Sequence, residues 1–193
     1  MRKRYKVIYA DPPWSYDNKG SRNTADKQYL TTGIESLKRM MVAPLCEGDA
    51  VCFMWVTFPM LQEGIDLLRA WGFDYKTVAF VWVKQNPKAG SPFMGMGNWT
   101  RTNAEMVIMG TRGSPKRLGK GVHQIVEELQ GDTLAAPRGA HSVKPKQVAD
   151  RIVELMGDVP RLEMFARAAA PGWDVFGNEA PESITIRTRK ANG

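Results

Sequence analysis

The sequence predicts an α/β protein: one sheet with helices on both faces. Three observations carry this. Short β-branched and aromatic runs, such as YKVIYA at Tyr5–Ala10 and AVCFMWVT at 50–57, are nearly continuous in apolar residues, as strands buried on both faces are. Segments with helical spacing of apolar residues separate them, the alternation typical of α/β domains. The 193 residues, 43% hydrophobic and 24% charged, have ordinary globular usage and suffice for a single domain with its own core.

Taken in order, the first strand, Tyr5–Ala10, runs directly into Asp11-Pro12-Pro13-Trp14. Residues 15–29 are polar, with Gly20 and several Asn, Lys and Asp, and read as a loop. A helix is expected over 34–42, where Ile34, Leu37 and Met41 share a face and Pro44 follows. A second strand spans 50–57. Pro59 opens a helix to Trp71, closed by Gly72, following the preference for Pro at a helix start and Gly just past its end. Strands are expected at 75–84 and 104–111, a helix at Lys146–Met156 ahead of Gly157, then a strand at 161–166 and another at 173–177. Two long connections, 85–103 and 113–141, read as loops; long loops in a compact domain are usually functional or disordered. Residues 180–193 read as a polar tail, in which ITIRT could add an edge strand.

Lys and Arg number 27 against 20 acidic residues, a net charge of +7, which favours a polyanionic partner, nucleic acid above all. Cys46 and Cys52 form no CxxC and no Cys/His cluster, so neither a disulfide scaffold nor a metal site is expected. No apolar run approaches the roughly 18 residues of a membrane span and no signal-peptide core is present, so a soluble protein of the cytoplasm is expected.

The strongest chemical signal is Asp11-Pro12-Pro13-Trp14. In open α/β sheets, ligands bind beyond the carboxyl ends of strands, where this tetrad falls. The prolines fix the backbone and remove donors, leaving their carbonyls free to accept. Asp11 adds a carboxylate acceptor and Trp14 a flat face. Together they suit an exocyclic amine on a planar base. A strand ending in a Pro turn with a capping Asp would look the same. At the other end of the chain, strand 161–166, a turn, and strand 173–177 ending in Asn178-Glu179 have the logic of a nucleotide site, with acceptors placed for ribose hydroxyls.

DPPW after a strand resembles the amino-methyltransferases that act on the exocyclic amine of adenine, and its tryptophan form resembles the MT-A70 family. Further blocks follow in the family's order: Tyr29-Leu-Thr-Thr, Phe53-Met-Trp-Val, Ala70-Trp-Gly-Phe, Val81-Trp-Val-Lys, Arg101-Thr-Asn-Ala-Glu105, His141-Ser-Val-Lys-Pro145, Leu162-Glu-Met-Phe-Ala-Arg167 and Gly172-Trp-Asp-Val-Phe-Gly-Asn-Glu179. They span roughly residues 5–179.

The resemblance implies a single-domain, Rossmann-like S-adenosylmethionine methyltransferase fold in permuted order, with the catalytic strand first and the cofactor strand last. By resemblance Asp11, Pro12, Pro13 and Trp14 are catalytic. Asn178 and Glu179 contact the cofactor ribose, Lys144 and Arg167 its methionine carboxylate end, and Glu163 supports those cations. His141, Ser142 and Asp11 also belong to the cofactor site. His141-Ser142 read equally well as a cap for the helix that follows. Trp14 and Tyr29 are candidates for stacking on the base, and Lys19, Arg22, Lys84, Lys88 and Arg101 for phosphates.

Two features depart from generic nucleotide motifs. The turn after 161–166 reads ARAAAPG rather than GxGxxG, and GSPKRLGKG at 113–121 lacks P-loop spacing and reads as a basic loop. The expected activity is methyl transfer from S-adenosylmethionine to the N6 amine of adenine, in DNA rather than RNA because the compact chain resembles bacterial and phage relatives. An RNA methyltransferase, a non-catalytic nucleic-acid-binding half of a heterodimer, and cytosine-N4 methylation are the competing readings. The resemblance leaves open a homo- or heterodimer.

Overall fold

A computed structural model describes residues 3–14, 33–85, 94–95, 97, 99–129, 144–177, 180 and 184–190. The described residues form these strands and α-helices: β1 (Tyr5–Ala10), α1 (Ile34–Lys38), β2 (Cys46–Val56), α2 (Leu61–Ala70), β3 (Asp74–Gln85), β4 (Ala104–Arg112), β5 (Ile125–Leu129), α3 (Lys146–Met156), β6 (Arg161–Met164) and β7 (Asp174–Phe176). The strands make one sheet in the order β5-β3-β4-β2-β1-β6-β7. It is parallel except at β4, which runs antiparallel to both β2 and β3.

Side chains alternate across a strand, and that alternation builds two cores. One face carries Ile8, Ala10, Cys52, Met54, Ile108, Leu162 and Met164, covered by Leu37 of α1 and Leu67 and Leu68 of α2. The other carries Val7, Tyr9, Phe53, Trp55, Phe80, Trp82 and Val107, covered by Val148, Ile152 and Met156 of α3. Each fully buried leucine contributes about 1.5–3 kcal/mol relative to exposure. Trp71 is buried, its indole N–H donating to the Leu37 carbonyl at 2.9 Å. Gly72 ends α2 at φ +86°, a left-handed conformation that favours glycine. Both cysteines are buried, free thiols.

Several boundaries differ from expectation. The helix expected over 34–42 stops at Lys38. Met40 instead bridges Thr188, and the Met41 N–H donates to the Arg187 carbonyl at 2.8 Å. Residues 187–189, in the stretch expected as a tail, thus lie along the chain after α1, and Ile184 and Ile186 pack on the first core. Pro59 sits in a 3-10 turn, Phe58–Met60, and α2 begins after it. β2 begins at Cys46, earlier than expected, because Cys46 already pairs with Tyr5 before the register shifts. β5 falls inside the connection read as a loop: its sequence IVEEL is short, carries two glutamates in five residues, and is ordered by parallel pairing with β3. β6 stops at Met164 because Phe165 turns to φ +65°, a conformation a bulky residue rarely adopts. Among the described residues no helix is long and apolar enough to cross a membrane.

Candidate active site

β1 lies between β2 and β6. The chain leaves β1 for α1 on one face of the sheet and returns to β6 from α3 on the other. Strand order therefore switches direction between β1 and β6, which opens a crevice at their carboxyl ends. Asp11 occupies that point, its N–H donating to the Met164 carbonyl of β6 at 3.3 Å.

Alternation sets which residues meet there. Tyr9 points to the α3 face, and Asp11 follows it two residues on. On β3, Phe80 and Trp82 share that face and lead to Lys84. On β4, Val107 shares it and is preceded by Glu105, which lies opposite Trp82 in the register. Lys144, just before the Pro145 cap of α3, reaches in from above. Its Nζ lies 3.3 Å from Asp11 Oδ2 and 3.1 Å from Glu105 Oε2, and the Lys84 ammonium donates to Glu105 Oε1. The result is a chain of alternating charge: Asp11, Lys144, Glu105, Lys84.

Both lysines also sit over indole rings, Lys144 at 5.4 Å from the Trp55 centroid and Lys84 at 4.9 Å from that of Trp82, favourable cation–π placements. With side-chain exposures of 16% for Lys144 and 15% for Glu105, this network is poorly screened, so removing Lys144 or Glu105 leaves a costly unpaired charge. Burial alone would raise Glu105, but Lys144 and Lys84 hold it below the ordinary carboxylate value. Burial works against the Lys144 charge, yet Asp11 and Glu105 raise its pKa above the usual lysine value. Asp11 is raised, first by burial and then by Glu105, against the pull of Lys144 and Arg167.

The tetrad itself is pinned. The Trp14 indole N–H donates to the Trp55 carbonyl at 3.1 Å, and the Trp55 indole N–H donates to the Tyr9 hydroxyl at 2.7 Å. Trp173, Tyr9, Trp55 and Trp82 form an aromatic row beneath the charges, with Tyr9–Trp173 centroids 5.7 Å apart and Trp55–Trp82 6.2 Å apart. One expectation is corrected here: the Pro12 carbonyl is not wholly free, since it accepts the Trp14 N–H at 2.9 Å. This is a tight three-residue turn of the kind common at strand ends. It leaves the oxygen's second lone pair for another donor.

The β6 side of the crevice is shaped by backbone. Phe165 packs against Trp71 and Phe176, while the Ala166 N–H donates to the Phe176 carbonyl at 3.1 Å. A side chain at Gly177 would run into the Ala166 carbonyl. Glu163, paired in register with Tyr9, is pushed up to about 7 by burial and the nearby charge of Asp11. The expected partnership of Glu163 with Lys144 is not formed: Lys144 has turned to Asp11 and Glu105, the carboxylates its position above β1 and β4 brings within reach. Arg167 is exposed, close enough for its charge to be felt at Asp11.

The structure thus brings together Asp11, Lys144 and Lys84, with Pro12, Pro13, Trp14, Glu163 and Arg167 around the same crevice. Arg101 is exposed on the β3–β4 connection. Lys19, Arg22, Tyr29, Lys88, His141, Ser142, Asn178 and Glu179 lie outside the described residues. Sequence reasoning missed Glu105 and Trp55 as parts of the site. The available signal was a carboxylate opening an otherwise apolar strand, AEMVIMGTR: a buried charge calls for a partner.

Comparison with known proteins follows the same residues. The MT-A70 family model matches residues 5–179. The Type II methyltransferase M.MunI of Mycoplasma sp is 34% identical, with 97% of this chain and 83% of that protein covered. The N(6)-adenosine-methyltransferase MT-A70-like protein of Drosophila melanogaster is 28% identical over 94% of this chain. The N(6)-adenosine-methyltransferase catalytic subunit METTL3 of Homo sapiens is 26% identical over 91% of it. The chain spans only 29% and 28% of those two animal proteins. With DPPW at the switch point of the sheet and the match running from the first strand to the residues after the last, this chain belongs to the MT-A70 family.

Proposed function

We propose that the protein transfers a methyl group from S-adenosylmethionine to the N6 amine of adenine in DNA. The observation that carries this reading is the ion-paired Asp11 at the carboxyl end of β1, with the Pro12 carbonyl and the Trp14 ring beside it. Adenine N6 is a poor nucleophile because its lone pair is delocalised into the ring. Asp11 and the Pro12 carbonyl accept its two N–H bonds, which orients the nitrogen and favours a pyramidal geometry. Fixed acceptors of this kind act through positioning and electrostatics. Lys144 holds the Asp11 carboxylate in place. When N6 gains its methyl group it becomes acidic, and its proton passes to Asp11, whose raised pKa suits it to receive one. Trp14, tethered to the Trp55 carbonyl, offers the face on which the base stacks. A base in a duplex must first leave the stack.

The crevice fits a cationic cofactor. The Asp11 charge raises the pKa of Glu163, and the two carboxyls together favour a positive group between β1 and β6. Arg167 stands near for a carboxylate. S-adenosylmethionine, when bound, supplies a methyl on a positively charged sulfur. Glu163, Arg167, Lys144 and the end of β7 with Asn178 and Glu179 are the residues that would hold it, with His141 and Ser142 ahead of α3.

DNA is favoured because near-full-length similarity is to a type II methyltransferase, while the adenosine methyltransferases match over a fraction of their own length. Those same relatives keep an RNA substrate as the second reading. A labelled-methyl transfer assay on unmethylated duplex DNA, single-stranded DNA and RNA, followed by nucleoside mass spectrometry, tests this. N6-methyladenine in DNA is expected, and equal or better turnover on RNA would overturn the choice of polymer.

A further inference from the structure

We infer that Trp99 is a base-stacking residue that engages a nucleobase next to the methyl acceptor. This rests on the reading of the chain as a nucleic-acid methyltransferase. The connection between β3 and β4 leaves the sheet at Lys84-Gln85 and re-enters at Ala104-Glu105, so both of its roots belong to the ionic network around Asp11.

Its base is closed by two backbone bonds, Lys84 N–H to the Asn103 carbonyl at 2.8 Å and Gly95 N–H to the Thr102 carbonyl at 2.9 Å. Within the closed turn, a side chain at Gly97 would collide with the Thr100 carbonyl and the Thr102 hydroxyl. The turn is therefore specified by its sequence. It holds Trp99 out at 99% exposure, whereas tryptophan is among the more buried residue types on average.

Three properties choose the occupant. The ring stands at the carboxyl end of the sheet, where the acceptor base must arrive. Arg101, two residues on, is exposed beside it, and the chain carries a net charge of +7, so the partner this chain draws is a polyanion rather than an average protein surface. A flat indole stacks on any base, whatever the sequence. An adenine drawn toward Asp11 leaves a neighbouring base unstacked, and Trp99 covers it.

The test compares Trp99→Ala and Trp99→Phe with the parent. Affinity for a short single-stranded DNA is measured by fluorescence anisotropy across a salt series, beside melting temperature and sedimentation. Trp99→Ala should weaken binding about tenfold and Trp99→Phe by no more than about threefold. The salt slope should be unchanged, since no phosphate contact is lost. The melting temperature should also be unchanged, since the ring is exposed. Parental DNA affinity in Trp99→Ala overturns the inference, including the case where the variant instead dissociates a dimer and so assigns the ring to a protein partner. A parent that transfers no methyl group to any polymer, with Trp99→Ala still weakened on DNA, would sink the methyltransferase reading and leave the stacking inference standing.

Discussion

The two faces of the sheet are built from the same strands and do different work. Under α1 and α2, Ile8, Met54, Ile108 and Leu162 are met by Leu37, Leu67 and Leu68, and the face is closed by packing. Under α3, Tyr9 of β1 and Trp55 of β2 join Trp82 of β3 and Trp173 in a row, and toward the carboxyl ends that row gives way to Asp11, Glu105 and Lys84 with Lys144 above. One side carries folding and the other carries folding at its base and chemistry at its rim. Adjacent residues at the end of β1, Ala10 in the strand and Asp11 just past it, thus answer to different demands. The aromatic row lets the charges be rigid: the indoles beneath the lysines are themselves hydrogen-bonded or edge-packed.

Substitutions on the two faces should separate these roles. Lys144→Met removes the cation shared by Asp11 and Glu105. Methyl transfer should fall about a hundredfold and stability by about 3 kcal/mol; a variant with parental turnover would show that the network does not serve Asp11. Leu67→Ala, on the opposite face, should cost about 2–5 kcal/mol in urea denaturation while turnover per folded molecule stays at the parental level. Loss of turnover there would erase the division between the faces.

Lys84→Met sharpens the boundary of the site. Because Lys84 is committed to Glu105, the salt dependence of DNA binding should keep its slope while turnover drops by less than about tenfold. A slope reduced by about 1 would put Lys84 on a phosphate instead. The smallest effect belongs to Glu163. Its carboxyl is raised from 4.5 to about 7 in the folded chain, so the folded state holds the proton more tightly than the unfolded one. Stability should therefore fall as pH rises from about 4.5 to about 7. Glu163→Gln should remove that fall and, with solvent screening, gain about 1–2 kcal/mol at alkaline pH. A pH profile of stability that Glu163→Gln leaves unaltered would contradict the raised pKa of this carboxyl.

What was legible in the sequence follows the range of the interactions. β1 and α3 have the ends expected of them, because local pattern and a Pro or Gly stop set both. Asp11 at a strand end was legible for the same reason. The helix after Ile34 was overestimated because its fate depends on Met40 and Met41 pairing with residues near 188, which no local pattern reveals. β5 was missed because edge pairing with β3, not its own composition, makes it a strand. Glu105 escaped for the same reason as the commitment of Lys84: two oppositely charged residues 21 positions apart meet only once β3 and β4 have paired in register.

The most direct test of the account is Asp11→Ala, assayed for methyl transfer with mass-spectrometric identification of the product and, in parallel, for thermal stabilisation by S-adenosylhomocysteine. Loss of N6-methyladenine by about a thousandfold, from a folded protein still stabilised by that ligand, is the expected result. Undiminished methylation by Asp11→Ala would contradict the claim that the switch-point carboxylate holds the acceptor amine.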